Sequence, residues 1–165
     1  MRPRNSDGPR GRAGSAPTIR DPRNLGSYAY VIMPVNSDSA YTSRRAAIES
    51  ALRHVDVIGH FPLDNLVDRN GFDLERTLSA IRGATLVLAD LSRERPSCYY
   101  ELGLAQALDK TTVLVAEAGT IIHQAFRRDS TLFYESLVDL EDRLGNALRK
   151  GISSTGWTSD PLSGT

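Results

Sequence analysis

Acidic side chains follow the apolar runs of this sequence at points where they can do chemistry. Glu101 lies in Cys98-Tyr99-Tyr100-Glu101-Leu102-Gly103, at the start of a predicted helix, and Asp90 lies at the end of the clearest apolar run. Asp64 falls in a polar loop after another apolar run. Carboxylates serve as nucleophiles, as general acids or as partners of ligand hydroxyls. Glu101, Asp90 and Asp64 are therefore the candidate catalytic residues.

Glu101 and Asp90 also have explanations that need no function. An acidic side chain in a first helical turn interacts favourably with the helix dipole, and an Asp after a strand often caps the following turn. Tyr100 and Leu102 flank Glu101, however, and these neighbours predict a partly buried carboxylate. Because a buried carboxylate must be hydrogen-bonded or functional, Glu101 is the stronger candidate.

Other chemistries have little support in the sequence. The histidines show no metal-ligand spacing, and neither a metal nor a cofactor is expected. The G-x-S-x-G nucleophile motif, the Walker phosphate loop and the G-x-G-x-x-G dinucleotide motif are missing. Cys98 stands at a helix start, where a thiolate would be stabilised. Without an identifiable histidine base, a buried and inert cysteine is the better interpretation.

The composition favours one domain with a small-molecule partner. The 165 residues are 40% hydrophobic, enough for one core without disulfides. Basic and acidic side chains number 20 each and leave no net charge, so neither nucleic acid nor a membrane surface is an expected partner. A single cysteine, with no membrane-spanning run and no signal peptide, predicts a cytoplasmic protein.

Apolar runs and helical periodicities alternate along the chain and predict the elements that position these residues. Gly83 is expected to end a helix in the left-handed conformation. The alternation predicts an α/β fold: a doubly wound, mostly parallel five-stranded sheet in a Rossmann- or flavodoxin-like three-layer sandwich. Strands are predicted at Tyr28–Pro34, Val55–Phe61, Ala84–Leu91, Thr111–Ala116 and Thr131–Tyr134, and helices at Tyr41–Val55, Gly71–Arg82, Ser97–Leu108 and Glu135–Arg149.

Two tails flank the predicted domain, which spans residues 27–150. Residues 1–26 are rich in Arg, Pro and Gly and are expected to be disordered. Residues 151–165 are rich in Ser, Thr and Gly and are expected to be flexible, although Trp157 is suited to docking on the domain or on another subunit.

Three segments resemble the nucleoside 2-deoxyribosyltransferase-like superfamily. They are Tyr30-Val31-Ile32-Met33-Pro34, the stretch from Ala84 to Ser92, and the stretch from Cys98 to Lys110 that contains Glu-Leu-Gly. That superfamily includes nucleotide N-glycosidases and is a structural neighbour of TIR-like NAD hydrolases. The resemblance covers residues 28 to 148, most of the predicted domain.

The resemblance implies roles for individual residues. Glu101 takes the place of the glutamate that attacks C1′ of the sugar, Asp90 matches a strand-end aspartate, and Asp64 falls where relatives often have an acidic residue. Asp64 and Asp90 are the candidates for the acid that protonates the departing base, or for binding a sugar hydroxyl. The expected substrate-binding residues are Met33, Pro34, Tyr41, Ser92, Ser97 and Tyr100.

The function expected from the resemblance is cleavage or transfer at the base–sugar bond of a nucleoside or nucleoside 5′-monophosphate. A TIR-like NAD hydrolase and a non-catalytic nucleotide-sensing module are the alternatives. The resemblance also implies a homodimer or a larger homo-oligomer. Arginines near the predicted site could hold a phosphate or be solvated surface: Arg44, Arg45, Arg93 and Arg95.

Overall fold

The computed structural model describes residues 27–34, 39–62, 73–93, 95–122 and 131–155. Strands and helices alternate along them, as the apolar runs predict. In chain order they are β1 (Tyr28–Ile32), α1 (Ser39–Arg53), β2 (Ile58–His60), α2 (Leu74–Gly83), β3 (Leu86–Asp90), α3 (Pro96–Ala107), β4 (Thr112–Glu117), β5 (Thr131–Tyr134) and α4 (Leu137–Thr155).

The described strands form one parallel sheet in the order β2-β1-β3-β4-β5. Every residue of β1 and β3 is buried, as expected of central strands that are covered on both faces. The register pairs Tyr30 with His60 on β2 and with Val87 on β3. The predicted doubly wound α/β fold is confirmed, and the direction of the strand order reverses between β1 and β3.

Successive side chains of a strand point to opposite faces of the sheet, so each strand contributes to two cores. One core lies between the sheet and helices α1 and α4, here called the α1/α4 face; the other lies under α2 and α3, here called the α2/α3 face. The first contains Ala29, Val31, Leu86, Leu88, Ile48, Leu52, Leu140 and Leu144, and the second contains Tyr28, Tyr30, Ile32, Val87, Ala89, Ile81, Leu102 and Ala105.

Gly83 does not end α2 in the left-handed conformation, so that prediction is wrong. Helix α2 includes Gly83, and the chain leaves it through Ala84 with extended dihedral angles of φ −68° and ψ 142°. A Cβ atom at Gly83 would lie 2.8 Å from the Tyr28 hydroxyl, which donates a hydrogen bond to the Ala80 carbonyl at 2.6 Å. This position therefore needs glycine because a tyrosine approaches closely.

Helix α4 is longer than the sequence predicts. It runs through Gly151 to Thr155 instead of ending at Arg149, so the first five residues of the predicted flexible tail are helical. The basic segment of residues 1–26 and Trp157 lie outside the described residues. Within the described ranges, no helix combines the length and the apolar composition that a membrane crossing needs.

Candidate active site

The reversal of strand order places a crevice at the carboxyl ends of β1 and β3, where the following connections diverge. Met33 and Pro34 continue from β1, and Asp90, Leu91 and Ser92 lead out of β3. Ligands of open α/β sheets bind at such a switch point. The ends of β1 and β3 therefore lie where ligands of open α/β sheets bind.

Glu101 approaches this edge from α3, but not from its first turn. Helix α3 begins at Pro96, so Glu101 is its sixth residue and lies in the second turn. Arg95 at the N-cap makes no side-chain capping bond. The helix-dipole explanation of a first-turn carboxylate therefore does not apply to Glu101, because that effect falls off within the first turn.

A tyrosine on β1 holds the Glu101 carboxylate. The Tyr30 hydroxyl donates a hydrogen bond to Glu101 Oε2 at 3.0 Å, and the Tyr30 side chain is almost fully buried on the α2/α3 face. Burial raises the pKa of Glu101 above its ordinary value, while the Tyr30 hydrogen bond works in the opposite direction. Glu101 is therefore a partly buried carboxylate that accepts a hydrogen bond from Tyr30.

Tyr30 is itself held in its protonated state. Burial is the main reason that its pKa is raised, and the charge and hydrogen bond of Glu101 raise it further. The Thr77 side chain on α2 forms a hydrogen bond to Tyr30 that partly offsets these effects. Tyr30 therefore remains a hydrogen-bond donor to Glu101 throughout the physiological pH range.

His60 and Asp73 lie near this cluster on the same side of the sheet. The His60 ring, at the end of edge strand β2, is centred 5.8 Å from the rings of both Tyr28 and Tyr30. Asp73 is an exposed carboxylate that caps α2 by accepting a hydrogen bond from the Arg76 amide at 3.0 Å. Asp73 precedes Thr77 by one helical turn and therefore lies on the same face of α2.

Asp90 lies on the other face of the sheet. It alternates with Ala89, which belongs to the α2/α3 face, and its side chain is directed towards Arg44 on α1. Asp90 has no solvent-exposed surface. Glu101 and Asp90 therefore follow the same strand edge on opposite faces of the sheet, and no accessible surface of Asp90 meets a ligand in the described conformation.

Ser92 connects Asp90 to the ends of β4 and β5. Asp90 Oδ1 accepts hydrogen bonds from the Ser92 amide at 3.0 Å and from the Ser92 hydroxyl. The Ser92 oxygen also accepts from the Glu117 amide at 2.9 Å and lies 2.9 Å from the Tyr134 hydroxyl. Because the single Ser92 proton goes to Asp90, Tyr134 must be the donor to Ser92. The Ser92 hydroxyl thus has no capacity left for a substrate.

Arg44 closes this set of contacts. Its Nε lies 3.7 Å from Asp90 Oδ2, which makes no hydrogen bond within the described residues, and Arg44 also donates to the Tyr134 hydroxyl. Burial lowers the pKa of Arg44, but Asp90 and Tyr134 outweigh it and the net shift is upward. Burial raises the pKa of Asp90, against the donors of Ser92 and the charge of Arg44. We call Arg44, Asp90, Ser92 and Tyr134 the Asp90 ring.

The remaining predicted residues fall into three groups. Met33 and Pro34 are buried, and Tyr41 is partly buried against the α1/α4 core. Ser97 is exposed at the second position of α3, and Tyr100 is exposed by 51% on the same helix. Asp64 lies outside the described residues.

The arginines considered for phosphate binding have different surroundings. Arg44 belongs to the buried Asp90 ring. Arg45 pairs with Glu49 at 2.9 Å and lies 4.3 Å from the centre of the Phe61 ring. Arg93 and Arg95 are exposed beside the start of α3. Of these four, Arg93 and Arg95 are the exposed ones.

The sequence interpretation missed Tyr30, Thr77 and Tyr134. Tyr30 and Tyr134 stand within runs interpreted only as buried strands, although buried tyrosines usually find a partner for the hydroxyl, and that signal was available. Thr77 gave no signal, because its role depends on which helix covers Tyr30.

Cys98 is buried, and no cluster suited to a metal ion occurs among the described residues. Burial raises the pKa of the Cys98 thiol to about 12, with Glu101 and Asp90 contributing in the same direction. A group that stays protonated at neutral pH is a poor nucleophile. Among the described residues, Glu101 is therefore the better candidate.

A 2-deoxyribosyltransferase and a CMP N-glycosidase are among the solved structures that share this fold. The 2-deoxyribosyltransferase from the psychrotolerant bacterium Bacillus psychrosaccharolyticus superposes with a TM-score of 0.52 at 22% identity, covering 70% of this chain and 91% of that one. The Clostridium botulinum CMP N-glycosidase BcmB superposes with a TM-score of 0.58 at 14% identity, covering 73% of this chain and 99% of that one. At these identities, the likeness shows a common fold.

More distant similarity adds nothing about function. The TIR domains of the activated Roq1 resistosome match with a TM-score of 0.44 at 10% identity, which is too remote to support an argument. No protein-family model matches the sequence, and no curated protein matches it either.

Proposed function

We propose that this chain, which has the fold of the nucleoside 2-deoxyribosyltransferase-like superfamily, breaks the base–sugar bond of a nucleoside or nucleoside 5′-monophosphate. The observation that carries the proposal is the Glu101 carboxylate, partly buried beside the crevice of β1 and β3 and bonded to Tyr30 at 3.0 Å. The shared fold with a deoxyribosyltransferase and a CMP N-glycosidase supports the same reaction class.

Glu101 acts as the nucleophile in this proposal. An N-glycosidic bond breaks through a transition state with positive charge on the sugar, which a nearby carboxylate stabilises. As the C1′–N bond breaks, its electron pair goes to the base nitrogen and a Glu101 oxygen bonds to C1′. Water or a second base then attacks C1′ and releases the Glu101 carboxylate. Water gives hydrolysis, which we favour, and a second base gives transfer.

The Tyr30 hydrogen bond gives Glu101 two properties that suit this role. It fixes the direction of the carboxylate, so that less freedom is lost when the sugar arrives. It also opposes the effect of burial on the pKa of Glu101. Burial alone favours the protonated and unreactive form, and the hydrogen bond from the tyrosine favours the ionised form.

The departing base needs a proton, and the structure changes which residue is favoured to supply it. Asp90 is fully enclosed on the opposite face, so we assign it no contact with the substrate. Asp64 remains a candidate. Asp73 joins it, because it is an exposed carboxylate one turn from Thr77, the residue bonded to Tyr30. Asp64→Asn and Asp73→Asn distinguish them: the variant that lacks the acid loses turnover, and the other keeps it.

The substrate-binding surface that we propose surrounds Glu101. Ser97 and Tyr100, exposed on α3, border it, and Pro34 lies at its floor, whereas Met33 and Tyr41 pack on the α1/α4 face, opposite Glu101, and are left out of the proposed surface. A 5′-phosphate would be held by Arg93 or Arg95, the exposed pair at the start of α3. A second subunit completing the site is part of the proposal, and light scattering of the purified protein tests it.

Release of free base is the direct test. The protein is incubated with nucleosides, nucleoside 5′-monophosphates and NAD, and the products are separated by chromatography. We expect base release from a nucleoside or monophosphate, and a loss of about a thousandfold or more in Glu101→Gln. Glu141→Gln is the matched control, because Glu141 is also partly buried and accepts from a hydroxyl, that of Ser50, at 2.6 Å.

The other outcomes assign other functions. Nicotinamide release from NAD alone would indicate a NAD hydrolase, and tight binding without turnover would indicate a sensor. Full turnover by Glu101→Gln would show that the nucleophile is wrongly assigned.

A further inference from the structure

We propose that Tyr134 is a positioning residue for Glu101: through Ser92, it fixes the turn between β3 and α3 that sets where α3 carries the nucleophile. This inference rests on the proposed function, since Glu101 is its target. Tyr134 lies at the end of β5, two strands away from β3, and touches neither Glu101 nor the mouth of the crevice in the contacts described above.

The Tyr134 hydroxyl acts on a single atom of this turn. Ser92 Oγ receives hydrogen bonds from Tyr134 at 2.9 Å and from the Glu117 amide at 2.9 Å, and it donates to Asp90 Oδ1. An oxygen with one proton and two lone pairs is then saturated. Removing the Tyr134 hydroxyl leaves one lone pair of Ser92 Oγ without a hydrogen-bond donor, in a place largely closed to water.

Arg44 determines which way the protons point. Its guanidinium donates to the Tyr134 hydroxyl, and because the Ser92 proton goes to Asp90, the tyrosine proton is directed to Ser92. Asp90 Oδ2 faces Arg44 at 3.7 Å and makes no hydrogen bond within the described residues. The two hydroxyl protons of the Asp90 ring thus each have one acceptor, and these bonds restrict the movement of Ser92.

The ring joins the two sides of the crevice. Arg44 lies on α1, which follows β1, while Asp90 and Ser92 follow β3. Four residues after Ser92, Pro96 begins α3, and Glu101 lies in its second turn. Because Arg93 is exposed and few residues separate Ser92 from α3, the position of Ser92 limits where the helix begins. A displacement there moves Glu101 relative to C1′ of the substrate.

The test compares two tyrosine hydroxyls that are equally buried. Tyr134 and Tyr28 are each exposed by 3%, and Tyr28 donates to the Ala80 carbonyl at 2.6 Å, away from the crevice edge. Tyr28→Phe removes the hydrogen bond to Ala80, Tyr134→Phe removes those with Ser92 and Arg44, and both variants keep the ring. We expect the melting temperature to fall in both, and more in Tyr134→Phe. Only Tyr134→Phe should lower kcat, by about tenfold to a hundredfold, with KM changed less than kcat.

Hydrogen exchange supplies a readout that does not depend on turnover. In Tyr134→Phe, peptides covering residues 91–101 and the Glu117 amide should exchange faster than in the wild type, while Tyr28→Phe leaves both unchanged. Ser92→Ala provides the coupling test, because Tyr134 acts through Ser92. Adding Tyr134→Phe to Ser92→Ala should therefore change kcat and exchange little further.

The possible results separate the two proposals. If Tyr134→Phe and Tyr28→Phe have the same kcat and the same exchange at residues 91–101, Tyr134 does not position the turn. Independent, additive effects of Tyr134→Phe and Ser92→Ala would overturn the route through Ser92. If the wild type releases no base from any substrate, the proposed function fails, and the exchange pattern alone decides whether Tyr134 fixes the turn.

Discussion

The hydroxyl of Tyr30 and the carboxylate of Glu101 are 3.0 Å apart, although 71 residues separate them in the sequence. The contact forms because parallel strand β1 presents Tyr30 to the same face that α3 covers. Its chemical effect opposes that of burial: the hydrogen bond lowers the pKa of Glu101 and burial raises it. In this site, the hydrogen bond from Tyr30 therefore opposes the effect of desolvation on the pKa of Glu101.

Tyr30→Phe should remove the hydrogen bond that lowers the pKa of Glu101 and leave the effect of burial unopposed. Without the donor, the pKa of Glu101 rises further, and the ionised nucleophile appears only at higher pH. We expect kcat/KM to fall by about tenfold to a hundredfold at neutral pH, because a hydrogen bond to a charged group is lost. The acidic limb of the pH profile should move to higher pH. Tyr28→Phe is the control, and an unmoved acidic limb in Tyr30→Phe would contradict the assignment.

Glu101→Gln should make the protein more stable at neutral pH. The folded pKa of Glu101 is raised mainly by burial, so its charged form is disfavoured in the fold. Stability linked to this group is complete below its ordinary pKa and is lost as the pH rises through the folded value. Glutamine resembles the protonated form at every pH. Urea unfolding should therefore show a gain at pH 7 that shrinks towards pH 4.

The control for this measurement is Glu141→Gln, which removes another partly buried carboxylate, one that accepts a hydrogen bond from Ser50. A gain in Glu101→Gln that is the same at both pH values would mean that packing, and not ionisation, is responsible. A loss of stability at pH 7 would contradict the expected cost of the buried charge.

Much of the fold follows from the sequence because buried parallel strands and amphipathic helices have distinct periods. The runs containing Val31 and Leu88 predict central strands, and the structure confirms them. Element ends are less certain. No capping side chain marks the start of α3, and a helix beginning at Pro96 moves Glu101 from the first turn to the second.

The face occupied by Asp90 could not be predicted from its strand. A strand that is apolar on both faces gives no pattern to show which alternate residues point to which helices. Arg44 posed the same difficulty, since Arg44 and Arg45 are adjacent and chemically identical. One is enclosed beside Asp90 and the other pairs with Glu49 nearer the surface. Only the folded structure, in which α1 packs on the sheet, distinguishes Arg44 from Arg45.

Gly83→Ala should destabilise the protein because of one atom on another element. The added Cβ would lie 2.8 Å from the Tyr28 hydroxyl. We expect a cost of about 1–3 kcal/mol in the free energy of unfolding, typical of forced overpacking. In Tyr28→Phe, the obstructing oxygen is gone, so the same alanine should cost less. Equal costs in the two backgrounds, measured by urea unfolding, would show that the close approach is not the reason for glycine.

Cys98 should report unfolding through its reactivity. It is the only cysteine, it is buried, and burial raises its pKa to about 12. At pH 8, a disulfide reagent should therefore react slowly with the native protein and modify one thiol per chain in denaturant. Rapid modification of the native protein, at a rate independent of added urea, would contradict its burial on the inner side of α3.

Arg44→Met should lower the free energy of unfolding far more than the loss of a shorter but exposed ion pair. It leaves the fully buried Asp90 without its counter-charge, for which we expect a cost of about 3–5 kcal/mol in the free energy of unfolding. Arg143→Met is the matched control: Arg143 lies only 2.6 Å from Asp139, but its side chain is 55% exposed. Its loss should change the free energy of unfolding far less, because exposed pairs are screened by solvent.

The pH dependence of Arg44→Met identifies the cause of its instability. Arg44 lowers the pKa of Asp90, so its removal adds to the rise that burial already produces. The carboxyl group then gains a proton in the folded variant at a higher pH than in the unfolded chain. The cost relative to wild type should therefore be largest near neutral pH and diminish as the pH falls, because protonation removes the uncompensated charge. A cost that stays constant with pH would assign the effect of Arg44 to packing alone.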